Sequence, residues 1–267
     1  MDYQAMETHP YWLKQTPGAP LFPDIEWNKP ERRGMAGKLG IVGGNKLSFV
    51  ATADSYQIAT EAGVGEVRVL LPDALRKSVP ANMTDVVFAP TNHSGGLAKE
   101  AQTELSSIGQ WADVLLFSGD AGKNSQTAMI YEEQIKNYPK PIVLTRDAID
   151  LLQNSPTSLL ENPNITLVAS LAQVQQIFKD VYYPKMIAFS MQLTQLVETL
   201  HKFTITYPVS IMTLHNNQLI IARGGEVVTQ AWNDPMRIWR GHTAARAASY
   251  IVWTPQAPLK ALVASIA

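Results

Sequence analysis

Four residues with the chemistry of a phosphate site, Gly43-Gly44-Asn45-Lys46, stand between an apolar stretch and a segment of helical composition. Glycine lets a backbone approach a ligand closely, and the start of a helix presents free N–H groups and a partial positive charge. Lys46 adds a cation, and Ser48 is a residue type that caps helices. The pattern predicts a phosphate site, although it matches neither the Walker A motif nor the full GxGxxG fingerprint. A tight turn without a ligand is an equally good interpretation of the pattern alone.

A second candidate group, Gly119-Asp120-Ala121-Gly122, follows another apolar stretch. Gly119 and Gly122 would let backbone amides face a ligand, and an aspartate such as Asp120 can hold a metal ion or a hydroxyl group. Asp147 follows the next apolar stretch, at the carboxyl end of a predicted strand, where α/β sheets place ligands. A plain turn is the more common role for residues of the types found at 119–122. For Asp147, the role of a helix N-cap is at least as common as that of a ligand-binding residue.

A third candidate group, Arg240-Gly241-His242-Thr243, lies near the carboxyl end, and its residue types are compatible with the start of a helix. Its own arginine, with Arg237 and Arg246 nearby, makes the segment basic and predicts anion binding. Histidine changes charge near neutral pH, so His242 is the candidate acid–base residue, although a polar residue at a helix terminus is the more ordinary interpretation. No Asp or Glu follows Asp234, so this segment offers no carboxylate.

The elements that position these groups are short apolar stretches that alternate with helical ones. Strands are predicted at 38–42, 67–71, 85–89, 113–117, 142–145 and 165–169, with helices at 48–61, 73–77, 97–111, 126–137, 148–153 and 172–179. Such alternation indicates βαβ units and an α/β fold whose mostly parallel sheet is covered on both faces.

The carboxyl-terminal third departs from this alternation. An apolar stripe at helical spacing predicts one long helix over Lys185–Lys202. Two strands at 209–214 and 218–222 flank His215-Asn216-Asn217, which predicts a hairpin because asparagine tolerates a positive φ. Helices at 241–253 and 259–266 complete the chain.

The composition excludes several classes of function. Of the 267 residues, 46% are hydrophobic and 17% are charged, as in an ordinary globular protein, and the net charge of -1 gives no support for nucleic-acid binding. The absence of cysteine excludes disulfides and thiolate metal sites, and it fits a cytoplasmic protein. No histidine spacing is typical of a zinc site, no signal peptide is predicted, and no apolar stretch is long enough to span a membrane.

Residues 1–36 are predicted to form a proline-rich N-terminal arm, and residues 37–267 a single domain. The prolines of the arm favour extended or irregular chain. Its aromatic residues, Tyr11, Trp12, Phe22 and Trp27, predict that it packs either on its own domain or on a second subunit, which would make the protein a homo-oligomer.

Two segments resemble one known family. The run from Arg33 to Asn45, and the run Glu61-Ala62-Gly63-Val64-Gly65-Glu66-Val67-Arg68-Val69, resemble the ribokinase-like NAD(P)H-hydrate dehydratases. The order of elements is similar over residues 30–265. The resemblance implies a ribokinase-like three-layer αβα sandwich. It also implies binding of ATP or ADP with a divalent metal such as Mg²⁺, and dehydration of hydrated NADH or NADPH; related proteins are sugar and vitamin kinases.

The middle of the chain departs from the family's motifs. Residues 113–122 resemble a strand that ends in Gly-Pro-Gly-Leu-Gly, with Gly119 and Gly122 kept and with Ser118 and Asp120 as departures. Residues 141–148 resemble Pro-Val-Val-Leu-Asp-Ala-Asp-Ala, with Thr145 in place of the first Asp. Residues 165–171 lack the His and Glu of the family's Leu-Thr-Pro-His-Pro-Gly-Glu.

The largest departure concerns the family's catalytic loop, Gly-Thr-Gly-Asp, whose amides bind the transferred phosphate and whose Asp is the general base. Residues 240–245 stand there without that Asp, and losing a general base typically costs about 10²–10⁴-fold in rate. The resemblance thus implies either a divergent dehydratase or related kinase whose catalytic Asp is lost, or a non-catalytic nucleotide- or phosphate-binding pseudoenzyme. A structural or interaction protein is the third alternative. By the resemblance, the residues that bind substrate or nucleotide are Gly43, Gly44, Asn45, Lys46, Ser48, Gly119, Asp120, Gly122, Asp147, Arg240, Gly241 and Thr243, with His242 as the catalytic candidate.

Overall fold

Ten strands form one sheet in the computed structural model, which describes residues 9–153 and 155–267. The strands are β1 Trp12–Gln15, β2 Lys38–Gly43, β3 Glu66–Pro72, β4 Val86–Ala89, β5 Val114–Gly119, β6 Ile142–Thr145, β7 Ile165–Ala169, β8 Ser210–His215, β9 Gln218–Arg223 and β10 Glu226–Ala231. Their order across the sheet is β1-β10-β9-β8-β7-β6-β5-β2-β3-β4. β9 is antiparallel to both of its neighbours, and the other described pairs are parallel, so the predicted mostly parallel sheet is confirmed.

Helices cover both faces of the sheet. They are α1 Val50–Ala62, α2 Gln102–Trp111, α3 Ser125–Asn137, α4 Asp147–Asp150, α5 Pro156–Leu160, α6 Leu171–Asp180, α7 Leu193–Thr206, α8 Pro235–Trp239, α9 His242–Trp253 and α10 Pro258–Ala264. One core packs α2, α3, α6 and α7 on the sheet, and the other packs α1, α9 and α10 on the opposite face. β5 is buried along its whole length, which explains its nearly continuous apolar sequence. In the described ranges, no helix has the length and apolar character that a membrane crossing requires.

The described part of the arm packs on its own chain, which is one of the two predicted alternatives, and residues 1–8 lie outside the described residues. β1 extends the sheet by pairing in parallel with β10, and Trp12 Nε1 donates to Thr229 Oγ1 at 2.9 Å. The Tyr11 ring stacks on His201 with 3.7 Å between centroids. Trp27 is 86% exposed. The homo-oligomer stays a prediction.

The long helix predicted at 185–202 is wrong at both ends, since α7 begins at Leu193 and continues to Thr206. Gln192 and Gln195 form a capping box that fixes this start. The preceding segment is held as irregular chain, because Gln175 Nε2 donates to the carbonyl of Ile187 at 2.7 Å. Met186 and Phe189, which the apolar stripe placed on the buried face of a helix, are half or more exposed.

The predicted asparagine hairpin is confirmed. β8 and β9 pair as far as His215 and Gln218, which leaves a two-residue turn with φ of 46° at Asn216 and 57° at Asn217. Both values lie in the left-handed region, which asparagine tolerates better than other side chains do.

We expect Asn217→Val to lower the free energy of unfolding by about 1–2 kcal/mol, because a β-branched residue is strained in the left-handed region. Urea denaturation measures the change. Asn217→Gly is the matched control and should stay within about 0.5 kcal/mol of the wild type, since glycine has no such strain. Equal losses in both variants would contradict the role given to φ.

Candidate functional site

The first two glycine groups meet at the carboxyl ends of β2 and β5. The Gly44 amide donates to the Gly119 carbonyl at 3.0 Å. A Cβ on Gly43 would lie 2.5 Å from that same carbonyl oxygen and 2.6 Å from Ser118 Oγ. Gly119 itself has φ of 91°. Glycine is therefore required at these positions by close backbone approach, independently of any ligand.

Gly241 brings the third group to the same place. It adopts φ of 84° as the N-cap of α9, whose first amides have no carbonyl partner within the helix. A Cβ on Gly241 would lie 3.8 Å from the Ser118 carbonyl oxygen and 3.6 Å from Arg146 Cδ. The glycines of all three predicted groups thus lie close together at the edge where the parallel strands end.

Asp120, rather than Ser48, provides the side-chain acceptor for a backbone amide in the first turn of α1. Its Oδ2 accepts the Ser48 hydroxyl and the Ala51 amide, each at 3.0 Å. The N-cap position belongs to Phe49, and no side chain caps the helix from there. The prediction that Ser48 caps the helix is therefore wrong, because its hydroxyl donates to a carboxylate from another loop.

Arg146 is a site residue that the sequence reasoning missed. Its Nη2 donates to Asp120 Oδ1 at 2.6 Å, and its Nη1 donates to the Trp239 carbonyl at 2.5 Å. Its Nε is buried and has no partner among the described residues. The backbone has φ 57° and ψ -140°, a conformation rare outside glycine. A basic residue directly after a buried strand was the signal that the sequence offered.

Asp147 begins α4 rather than capping it, so the N-cap interpretation is wrong for this residue. Its Oδ2 accepts the Gly122 amide at 2.9 Å, and its buried Oδ1 has no partner in the described chain. Burial raises the pKa of Asp147 above its ordinary value, the Gly122 amide lowers that pKa, and the charge of Asp120 raises it again. The structure thus holds a partly unsatisfied carboxyl group beside the cleft.

We expect Asp147→Asn to raise Tm at neutral pH. A raised folded-state pKa means that this carboxyl favours folding below its unfolded pKa, and that the contribution is lost as pH rises through the folded pKa. Asparagine keeps an acceptor for Gly122 without a buried charge. For a chain of this size, 1 kcal/mol corresponds to about 2–4 °C in Tm.

Thermal melts of both proteins between about pH 4 and pH 8 test this expectation. The advantage of Asp147→Asn should appear as pH rises and vanish near pH 4. Asp24→Asn at an exposed position is the control and should show no such dependence. A constant difference at every pH would refute the expectation.

Asn45 and Lys46 join the glycine turn to the next loop. Asn45 Nδ2 donates to the Ser94 carbonyl at 3.0 Å, and the Lys46 amide donates to the Gly95 carbonyl at 2.8 Å. The Lys46 side chain lies over Gly95, where a Cβ would meet its Cγ at 2.3 Å. These contacts give both residues a structural role.

His242 lies against α1. Its Nε2 is 2.9 Å from Asp54 Oδ2, and it lines a separate hollow of about 290 Å³ together with Arg237 and Arg246. Thr243 Oγ1 is buried without a partner among the described residues, and Arg240 is exposed at the end of α8. No described contact joins His242 to Asp120 or Asp147.

Two adjoining hollows form the cleft. The first, of about 330 Å³, is lined by Thr145, Arg146, Asp147, Asp150, Val168, Ser170, Gln173, Ile238 and Trp239. The second, of about 590 Å³, shares Ser170, Ile238 and Trp239 with the first and adds Phe189 and the turn at 214–217. Trp239 and Phe189 are 53% and 61% exposed, so each offers an aromatic face. Sequence reasoning missed both residues. Among the described residues, no group of three or more His, Asp or Glu side chains could hold a metal ion.

Comparison with known proteins shows which solved structures share this fold. No family model matches the chain. A ribokinase-like superfamily protein from Enterococcus faecalis aligns with a TM-score of 0.68 over 97% of this chain and 86% of that one, at 14% identity. The ADP/ATP-dependent NAD(P)H-hydrate dehydratase of Bacillus subtilis, co-crystallised with ATP and Mg²⁺, aligns with a TM-score of 0.61 over 92% and 86% of the two chains, at 10% identity.

A curated relative agrees in sequence. The bifunctional NAD(P)H-hydrate repair enzyme Nnr of Methanothermobacter thermautotrophicus is 27% identical over 150 residues, which are 55% of this chain and 28% of the relative. Over those 150 residues the chain is therefore similar in sequence to an NAD(P)H-hydrate repair enzyme, and its fold is that of the ribokinase-like NAD(P)H-hydrate dehydratase from Bacillus subtilis. These comparisons and the sheet topology confirm the resemblance and the αβα fold that the sequence indicated. The match spans less than a third of the curated relative.

Proposed function

We propose that this ribokinase-like chain binds an adenine nucleotide in the cleft and does not turn it over. The observation that supports binding most directly is the convergence of Arg146, Gly241 and the N-terminus of α9 beside two aromatic-rimmed hollows. A solved relative of the same fold was crystallised with ATP and Mg²⁺. Together these points support a nucleotide rather than an uncharged ligand.

The residues present fit the phosphates of a nucleotide. A helix N-terminus presents several amides to an anion, and Gly241 leaves room in front of them because it carries no side chain. Arg146 adds a guanidinium group at the same place, on a side chain that is 31% exposed. The adenine base would then lie in the larger hollow, where Trp239 and Phe189 offer flat apolar surfaces.

The same residues do not fit a metal ion held by the protein. Both oxygens of Asp120 are engaged, by Arg146 on one side and by Ser48 and Ala51 on the other. Asp147 has one oxygen without a partner among the described residues, and no group of three or more acidic or histidine side chains comes together there, so the protein alone does not provide a metal site. We assign no step to a metal.

The lack of turnover follows from the first turn of α9. His242, Thr243 and Ala244 stand where the resemblance expects a general base, and none has a carboxylate. His242 is held by Asp54 on α1. Catalytic binding energy must be realised in the transition state, and a helix start that lacks its general base can bind a phosphate without accelerating its reaction.

A thermal-shift series with ADP, ATP, AMP and adenosine tests binding. A nucleotide at 100 times its Kd stabilises the folded state by about 2.7 kcal/mol, so Tm should rise with ADP and ATP and less with adenosine. No shift with any of these compounds, at concentrations up to the millimolar range, would refute the proposal.

Dehydration of hydrated NADH or NADPH is the second candidate, because the curated relative that matches over 150 residues is an NAD(P)H-hydrate repair enzyme. The chain should be incubated with hydrated NADH and either ATP or ADP, and the return of absorbance at 340 nm should be followed beside an active relative. Turnover comparable to that of the relative would show that the chain is an enzyme and overturn the non-catalytic part of the proposal.

A further inference from the structure

We propose that Arg146 recognises the phosphate of the ligand, and that Asp120 occupies its guanidinium until a phosphate displaces it. This inference rests on the proposed nucleotide binding and assigns its phosphate site to one residue. Arg146 and Asp120 follow adjacent strands, β6 and β5, and their contact at 2.6 Å is the ion pair at the base of the cleft.

The backbone indicates that the position of Arg146 is imposed by its surroundings. Arg146 and Asp120 both have positive φ, at 57° and 55°, and neither is a glycine. Such conformations persist only where surrounding structure holds them, and they concentrate at ligand sites. Gln173 supplies part of that support, because its Nε2 donates to the Arg146 carbonyl at 2.8 Å.

The guanidinium has unused donors. Nη1 and Nη2 are each committed to one acceptor, and Nε is buried without a partner among the described residues. An arginine has five N–H donors in a planar fork that matches the oxygens of a phosphate. Of the described residues that line the 330 Å³ hollow, Arg146 is the one basic side chain. A phosphate that enters this hollow therefore meets Arg146.

Asp120 competes with a phosphate for Arg146 through one of its two carboxylate oxygens. Its Oδ2 keeps the Ser48 hydroxyl and the Ala51 amide, while among the described residues Oδ1 bonds only to Arg146. Exchanging Oδ1 for a phosphate oxygen leaves the cap of α1 intact. A phosphate group carries more negative charge than a carboxylate and offers more oxygens to the guanidinium, which offsets the cost of leaving Oδ1 without its donor.

Calorimetric titration with ADP and with inorganic pyrophosphate tests the assignment. Arg146→Met should weaken both ligands about 10- to 100-fold, because it removes hydrogen bonds between charged groups. Asp120→Asn should tighten both ligands at least about 3-fold, because it removes the competing charge. Arg146→Lys keeps the positive charge but lacks the planar guanidinium with its paired donors, so it should also lose most of the affinity. This second variant provides the same comparison if Arg146→Met folds poorly.

Arg68→Met and Asp85→Asn are matched controls. Arg68 Nε contacts Asp85 Oδ1 at 3.0 Å on the far side of β3, and its side chain is about as exposed as that of Arg146. Both controls should leave the two affinities unchanged.

Wild-type affinity for pyrophosphate in folded Arg146→Met and Arg146→Lys would overturn this inference without contradicting nucleotide binding. Pyrophosphate binding that depends on Arg146, without ADP binding, would support this inference and refute the adenine nucleotide. Binding of neither ligand by the wild type would overturn both.

Discussion

Gly43→Ala is expected to lower the free energy of unfolding by about 2–4 kcal/mol and to weaken nucleotide binding in the same protein. The added Cβ would lie 2.5 Å from the Gly119 carbonyl oxygen, 2.6 Å from Ser118 Oγ and 2.8 Å from Thr52 Oγ1. The first of these atoms belongs to the backbone of β5, so a strand has to move. Overpacking costs about 1–3 kcal/mol, and loss of the hydrogen bond from Gly44 to Gly119 adds about 1 kcal/mol.

The effect on binding has the same origin. Displacing Gly119 moves the two loops behind it, because a Cβ on Gly119 would already lie 2.8 Å from Arg146 Cβ and 2.8 Å from Asp147 Oδ1. Urea denaturation and calorimetry with ADP measure the two effects. Gly34→Ala is the control, since its Cβ would meet nothing within 4 Å. Equal stability and equal ADP affinity in Gly43→Ala and Gly34→Ala would show that the close approach of β2 and β5 does not require glycine at position 43.

Local pattern was sufficient for eight of the ten strands, whereas β1 and β10 were not predicted. Each of these eight strands is a short, mainly apolar stretch, and parallel strands end at one edge of the sheet, so Gly43, Gly119 and Asp147, which end or follow three of them, lie along that edge. The hairpin was equally local, because two asparagines between paired strands can adopt the left-handed turn that joins them.

The ion pair at the base of the cleft could not be predicted in this way. Arg146 and Asp120 are separated by 26 positions, and their contact depends on two positive φ values that no propensity assigns to arginine or aspartate. The cap of α1 comes from Asp120, which lies 69 positions after Ala51. Residues that meet through strained loops leave no periodic signal in the sequence, and so the acceptor for Ser48 and the role of Arg146 emerged only from the fold.

The Phe203→Ala substitution is expected to have the largest effect on stability, a loss of about 3–5 kcal/mol. Phe203 is fully buried on α7, and its ring stacks on Phe178 of α6 with 4.1 Å between centroids. Tyr183 and Tyr207 complete the aromatic cluster, at 5.0 Å and 4.8 Å from Phe203. Removing the ring leaves a cavity that these rigid neighbours fill only in part, which is why aromatic truncations are among the costliest core changes.

Ile205→Ala is the control on the same helix, because Ile205 is 63% exposed and should cost less than about 0.5 kcal/mol. Phe203 is not among the described residues that line the two hollows of the cleft. The folded fraction of Phe203→Ala should therefore bind ADP with the wild-type Kd, whereas Gly43→Ala should lose both stability and affinity. Urea midpoints and calorimetric Kd values measured on both variants separate these cases. A matching loss of affinity in Phe203→Ala would mean that the cleft responds to stability in general and that the glycine turn has no special part in forming it.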